Sequence, residues 1–180
     1  IFASSSSVYG VSDAPDVRED HPVNGLTLYS KYKALCEPLL FKHQTPDFVC
    51  TILRPATVCG YAPRMRFDLT ANIMTAHAVL KGAITVFGGD QGRAHLHIQD
   101  MTDCYRLMLS APDEKIAGQI FNVGCQNLKG AEIAEMVADE VVILHLAAIV
   151  TDLVGDGLVV LPRQRGDRQR LLSVRLVWAN

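Results

Sequence analysis

The decapeptide Ile1-Phe2-Ala3-Ser4-Ser5-Ser6-Ser7-Val8-Tyr9-Gly10 decides the reading of the fold. Its first three residues read as a buried strand already under way, four hydroxyl residues follow, and a Tyr-Gly turn closes the segment. A strand ending in hydroxyls places serine side chains at the carboxyl edge of a sheet, where open α/β folds bind their ligands. Serine runs also make plain polar loops, so the segment alone marks a strand-to-turn junction.

Working outward, 48–53 and 119–123 are the next predicted strands, apolar-led and bounded by polar or turn-forming residues. Predicted helices alternate with them at 29–44, 67–80, 101–109 and 131–137. The first carries Leu35, Leu39 and Leu40 at helical spacing, with Pro38 as an expected irregularity. This alternation implies an α/β domain with a largely parallel sheet.

At 180 residues, 49% of them apolar, the chain is long enough to bury a core of its own. A net charge of −2 gives no reason to expect nucleic acid or an anionic membrane as partner, which leaves small-molecule work as the default. Cys36, Cys50, Cys59, Cys104 and Cys125 form no CxxC pair and have no histidines at ligand spacing. No disulfide framework or metal site is therefore expected, and a reducing cytoplasm fits best. The longest apolar run, 141–150, falls short of the roughly 20 residues of a membrane helix. The sequence opens without Met, basic leader or signal peptide, so its true start is expected upstream. The end differs again: Arg163, Arg165, Arg168, Arg170 and Arg175 face only Asp167, a pattern most economically read as a solvated basic terminus, with a phosphate-binding tail as the functional alternative.

Tyr29 and Lys33 are four residues apart, so near a helix start they share one face. A lysine ammonium there favours the phenolate form of a tyrosine, which could then take a proton from a substrate hydroxyl. Alone, the YxxxK spacing is weak.

Four segments in order strengthen it: SSSSVYG (4–10), YSKYK (29–33), LRPATVCG (53–60) and VFGGDQGRAHLHIQD (86–100). Together they resemble the extended short-chain dehydrogenase/reductases. More narrowly, they resemble the NAD-dependent nucleotide-sugar epimerase/dehydratase family, UDP-glucose 4-epimerase-like members in particular. The resemblance runs to about Glu140 and implies the later part of a Rossmann-like doubly wound parallel sheet plus part of a small α/β substrate-binding domain. It divides the chain into 1–60, the later part of the NAD-binding domain with the Tyr/Lys pair; 61–140, a substrate-binding region interleaved with the last Rossmann elements; and 141–180, a divergent C-terminal segment.

By position, the resemblance implies Tyr29 as catalytic base, Lys33 as its partner and holder of the nicotinamide ribose, and Ser5 as the catalytic serine. Pro55 and Thr57 fall in a segment that lines the nicotinamide and sugar pocket, although the family often has Asn where Thr57 stands. Arg93 falls at the diphosphate-binding arginine, as suits a planar guanidinium. His97 and Asp100 match structural positions. Ser6 and Ser7 take the places at which 4,6-dehydratases of the family carry an Asp-Glu pair. They are counted with Ser5 as substrate-binding residues, and they disfavour dehydration.

The implied cofactor is NAD, with NADP still open, and the implied partner a nucleotide sugar. A homodimer is the expected assembly of the complete protein. The glycine-rich turn that holds the pyrophosphate is absent. The nearest cluster, 88–92, reads as a loop leading into 95–98, which carries no helix-start signal. Roughly the first third of a family member, with most cofactor contacts, is thus expected upstream, leaving this fragment inactive alone. Three functions stay open: nucleotide-sugar epimerase, NAD(P)-dependent sugar or small-alcohol reductase or dehydrogenase, and non-catalytic nucleotide-sugar-binding domain.

Overall fold

The computed structural model describes residues 1–141 and the backbone of Arg175–Ala179. The aliphatic run beyond Val141, and Arg168 and Arg170, lie outside the described residues. In chain order the elements are β1 (Phe2–Ala3), a 3-10 turn (Ser6–Tyr9), α1 (Leu28–Lys42), β2 (Thr51–Pro55), β3 (Thr57–Cys59), α2 (Thr70–Lys81), β4 (Ala83–Phe87), β5 (Gly92–His97), α3 (Ile98–Ser110), α4 (Asp113–Ile116), β6 (Gln119–Val123), β7 (Gln126–Lys129), helical residues 130–141, and β8 (Arg175–Ala179). No helix among the described residues is long and apolar enough to cross a membrane.

The chain divides into two compact units, 1–63 with 93–127, and 64–92 with the chain from 128 onward. In the first unit β1, β2 and β6 form a parallel sheet in that order, with Ala3 opposite Leu53 and Leu53 opposite Phe121. A parallel pair needs a crossover, and α1 supplies it between β1 and β2. Ile52 and Leu53 are fully buried, each contributing about 1.5–3 kcal/mol of apolar burial. A second sheet has the order β3-β5-β7, and Leu53, Ala56, Leu96 and Met101 form the core of the unit. In the second unit β4 runs parallel to β8, and Met74, Ala78, Ile84, Val86, Ile133 and Ala134 pack together with Val141.

Three expectations change. The strand anticipated at 48–53 is Thr51–Pro55, because Phe48 bridges back to Thr45 in a turn and stays half exposed. On α1, Leu35 and Leu39 face solvent, and the residues it buries are Ser30 and Glu37. The helix runs through Pro38. The segment 95–98 ends a strand and meets a helix: β5 runs to His97, whose Nδ1 accepts from the Gln99 amide at 3.2 Å and so caps α3, which starts at Ile98. A histidine cap is rarer than the Ser, Thr, Asp or Asn that signals a helix start in sequence.

Candidate active site

The site is built around the end of β1. Ser4 still follows the strand, its amide donating to the Leu53 carbonyl at 2.7 Å. Ser5 then caps the 3-10 turn, its Oγ accepting from the Ser7 amide at 3.2 Å and lying 2.8 Å from Ser7 Oγ. Gly10 ends the turn at φ +74°, where an added Cβ would come within 2.1 Å of the Asn24 carbonyl oxygen. The turn therefore needs a residue without a side chain. Ser6 is half-buried and Ser7 exposed.

Helix α1 packs against this turn. It starts with a capping box in which Thr27 Oγ1 accepts from the Ser30 amide (3.1 Å) and Ser30 Oγ from the Thr27 amide (3.0 Å). That start sets Tyr29 in the first turn, 58% exposed, its hydroxyl making no hydrogen bond to a described residue. Lys33, one turn later, is half-buried; its Nζ lies 5.8 Å from the Tyr29 ring centroid and 4.8 Å from that of Phe2. The ammonium donates to the Ala3 carbonyl oxygen at 2.6 Å. Tyr29, Lys33 and the strand end leading into Ser5 are thus brought together at the carboxyl edge of β1.

Beneath them lies a buried polar network absent from the sequence reading. Ser4 Oγ donates to Glu37 Oε1 at 2.5 Å. Arg54 meets the same carboxylate through Nε to Oε1 (3.0 Å) and Nη2 to Oε2 (2.6 Å), with both side chains at most 5% exposed. Arg54 Nη1 also donates to Tyr9 Oη (2.7 Å) and the Glu19 carbonyl (2.9 Å), and Tyr9 Oη donates to Asn122 Oδ1 (2.6 Å). Burial works against the Arg54 charge, but the hydrogen bonds to Glu37 and Tyr9 outweigh it and hold the guanidinium above its ordinary pKa. The signal available in the sequence was spacing: Glu37 follows Lys33 by four residues, as Lys33 follows Tyr29.

Pro55 ends β2 and Thr57 lies on β3, both half-buried. Thr57 pairs with His95 across the second sheet. Arg93, two residues before His95, is exposed, and its side chain has no partner among the described residues. The His95 Nδ1 lies 2.9 Å from the Arg93 carbonyl, which can only accept, so Nδ1 carries the proton. Its Nε2 is buried without a partner among the described residues. Thr57 and Arg93 therefore belong to strands of the second sheet, whereas Ser5, Tyr29 and Lys33 lie at the end of β1 and on α1. Gly60, at φ +112°, leaves room for the His97 ring, which an added Cβ would meet at 2.7 Å. Among the described residues no group of three His, Cys, Asp or Glu side chains is placed to hold a metal.

The model of one family, described as the NAD dependent epimerase/dehydratase family, matches residues 1–124. The chain belongs to that family. This places it among the extended short-chain dehydrogenase/reductases whose motifs it carries.

Family relatives include a UDP-N-acetyl-alpha-D-glucosaminuronate decarboxylase of Bacillus cytotoxicus, 30% identical over 141 residues, covering 73% of this chain and 42% of the relative. A UDP-glucose 4-epimerase of Lactobacillus helveticus is 26% identical over 142 residues, covering 69% and 42%. The chain thus spans under half the length of these relatives. A dTDP-glucose 4,6-dehydratase from Bacillus anthracis, solved in complex with NAD, superposes with a TM-score of 0.66 at 20% identity, covering 79% of this chain and 45% of that one. A Thermus thermophilus UDP-glucose 4-epimerase, also with NAD, gives 0.64 at 24% identity, covering 78% and 47%. These likenesses show the Rossmann-like fold of the family members.

Proposed function

We propose that the complete protein is an NAD-dependent nucleotide-sugar epimerase in which Tyr29 handles the proton of a sugar hydroxyl. The observation that carries the reading is the accessible Tyr29 phenol at the carboxyl edge of a parallel sheet, with the Lys33 ammonium 5.8 Å from its ring and anchored on Ala3. An ammonium and a phenol so placed fit the nicotinamide-ribose end of NAD, which when bound supplies the hydride acceptor that later returns the hydride. Tyr29 takes the hydroxyl proton as the carbinol is oxidised and gives it back on reduction; Ser5 orients the sugar oxygen. Pro55 and Thr57 line the pocket, and Arg93 grips the diphosphate with a fork of donors. Ser6 and Ser7 bring hydroxyls only, which supports epimerisation over elimination of water.

Two further points belong to the same reading. A second copy packs on α1, where Leu28, Tyr32, Leu35 and Leu39 follow at coiled-coil spacing and are each more than half exposed. A reducing, cytoplasmic setting is supported by the five cysteines, all free.

The test is to incubate the complete polypeptide with NAD and a panel of UDP- and TDP-hexoses and to separate the products. An epimer formed without net NADH is expected. Steady accumulation of NADH would replace the reading with a one-way dehydrogenase, and failure to bind NAD would leave a non-catalytic binding domain.

A further inference from the structure

Two consecutive residues at the end of β1 are held by two residues one helical turn apart on α1. Lys33 Nζ donates to the Ala3 carbonyl at 2.6 Å, and Glu37 Oε1 accepts from Ser4 Oγ at 2.5 Å. Ser5 comes next and caps a turn whose last residue, Tyr9, is bound by Arg54. The Glu37–Arg54 pair therefore grips the turn on both sides of Ser5, through Ser4 before it and Tyr9 after it. Asn122 extends the grip to β6, with its amide nitrogen donating to the Glu19 carboxylate at 2.7 Å and its side chain to the Val17 carbonyl at 3.1 Å.

We infer that Glu37 is a positioning residue, its buried carboxylate fixing the Ala3–Ser5 strand end against which Lys33 is set. The inference rests on the reading of Tyr29, Lys33 and Ser5 as the reacting group of side chains, and it gives Glu37 no contact with substrate. A buried ion pair offers little net stability over well-packed apolar side chains, because removing both charges from water costs about as much as their attraction returns. What this pair supplies is geometry. Its two hydrogen bonds to Arg54 fix the plane of the carboxylate, and the oxygen Oε1 so oriented is the one that takes Ser4. The Ala3 carbonyl that Lys33 uses shares its peptide plane with the Ser4 amide, which Leu53 holds at 2.7 Å, and the hydroxyl bond to Glu37 ties the same residue to α1 from its side chain.

The experiment reads Lys33 directly. The complete polypeptide and its variants Ser4→Ala and Glu37→Gln are acetylated with an N-hydroxysuccinimide ester, and each lysine is followed by mass spectrometry. Lys31, exposed on the same helix, is the internal standard. In the unsubstituted protein Lys33 is expected to react more slowly than Lys31. In both variants the Lys33-to-Lys31 ratio is expected to rise about three- to tenfold, the scale of one net hydrogen bond, while Lys42 and Lys115 keep their rates. An unchanged ratio in both variants overturns the positioning role. So does a common acceleration of every lysine in Ser4→Ala, which keeps both Arg54 bonds and isolates the link to the strand end; that result would make the network a general brace. No substrate enters this measurement, so its failure is distinct from failure of the epimerase reading, which would show as full turnover in Tyr29→Phe.

Discussion

The Arg54 guanidinium and the Glu37 carboxylate face each other through hydrogen bonds of 3.0 and 2.6 Å, with both side chains buried. Arg54→Met leaves that carboxylate charged and unpaired in the interior, and a loss of about 3–5 kcal/mol is expected in urea unfolding. The double variant Glu37→Met with Arg54→Met removes both charges and is expected to recover most of that loss. A double variant no more stable than the single one would show that the hydrogen bonds to Tyr9 and Glu19 dominate. The raised Arg54 pKa fixes the sign of the pH dependence. A cation favoured in the folded state contributes stability that is lost only as pH climbs through its folded-state pKa. Alkaline titration through the range in which proteins are normally handled is therefore expected to leave this pair intact.

Tyr29→Phe removes only a solvent-facing hydroxyl. Its melting temperature is expected to match that of the parent, while turnover of nucleotide sugar by the complete polypeptide falls by about 10²–10⁴-fold, the usual contribution of a positioned proton-transfer group. Parallel activity and melting measurements check both halves.

Arg93 is exposed on β5 and has no competing partner among the described residues, so it is free to meet a diphosphate. Arg93→Ala is expected to raise KM for the nucleotide sugar by about tenfold or more with a smaller effect on kcat, and Arg93→Lys to restore the binding only in part. Unchanged KM would remove the arginine from the substrate site.

Gly10→Ala forces a Cβ into the Asn24 carbonyl at a positive φ. A loss of about 1–3 kcal/mol is expected, the usual scale for a strained backbone position, and denaturant midpoints measure it.

Burial holds the Cys59 and Cys104 thiols above their ordinary pKa, whereas Cys125 is exposed. A thiol with a raised pKa carries less thiolate, the reacting form, at any given pH. Iodoacetamide is expected to modify Cys125 first, with Cys59 and Cys104 following slowly and their rates still rising well above about pH 8.5, the ordinary thiol value. Peptide mapping across a pH series reads the order.

Leu35→Glu with Leu39→Glu places two charges on the outward apolar stripe of α1. If two copies pack there, the complete polypeptide shifts from dimer to monomer in light scattering with no loss of helix content. A dimer that survives both charges places the interface elsewhere.

Much of the first unit was legible in the chain itself. Phe2–Ala3 and Gln119–Val123 stand out as short apolar-led runs bounded by polar or turn-forming residues, and the YxxxK spacing places Tyr29 and Lys33 on one face of any helix. Short β3 and β5 were not legible. The second of these is Gly-Arg-Ala-His-Leu-His, whose alternation becomes a strand only when Thr57 to Cys59 lie alongside it. Helix α1 also reversed its expected face. Leucines at helical spacing suggested a buried apolar stripe, yet Glu37 is inside because Arg54, seventeen residues away in sequence, neutralises it there.

Local pattern and motifs read in line carry the alternation of strands and helices in outline and the family, and they single out Tyr29, Lys33 and Ser5 as the proposed reacting side chains. Only the folded chain shows that Lys33 is anchored on Ala3, that Ser4 and Tyr9 are tied to the two members of one buried ion pair, and that Leu28, Leu35 and Leu39 of α1 face outward. Those facts depend on which distant groups can compensate a buried charge or an unpaired carbonyl, and only the folded chain brings such partners within hydrogen-bonding distance.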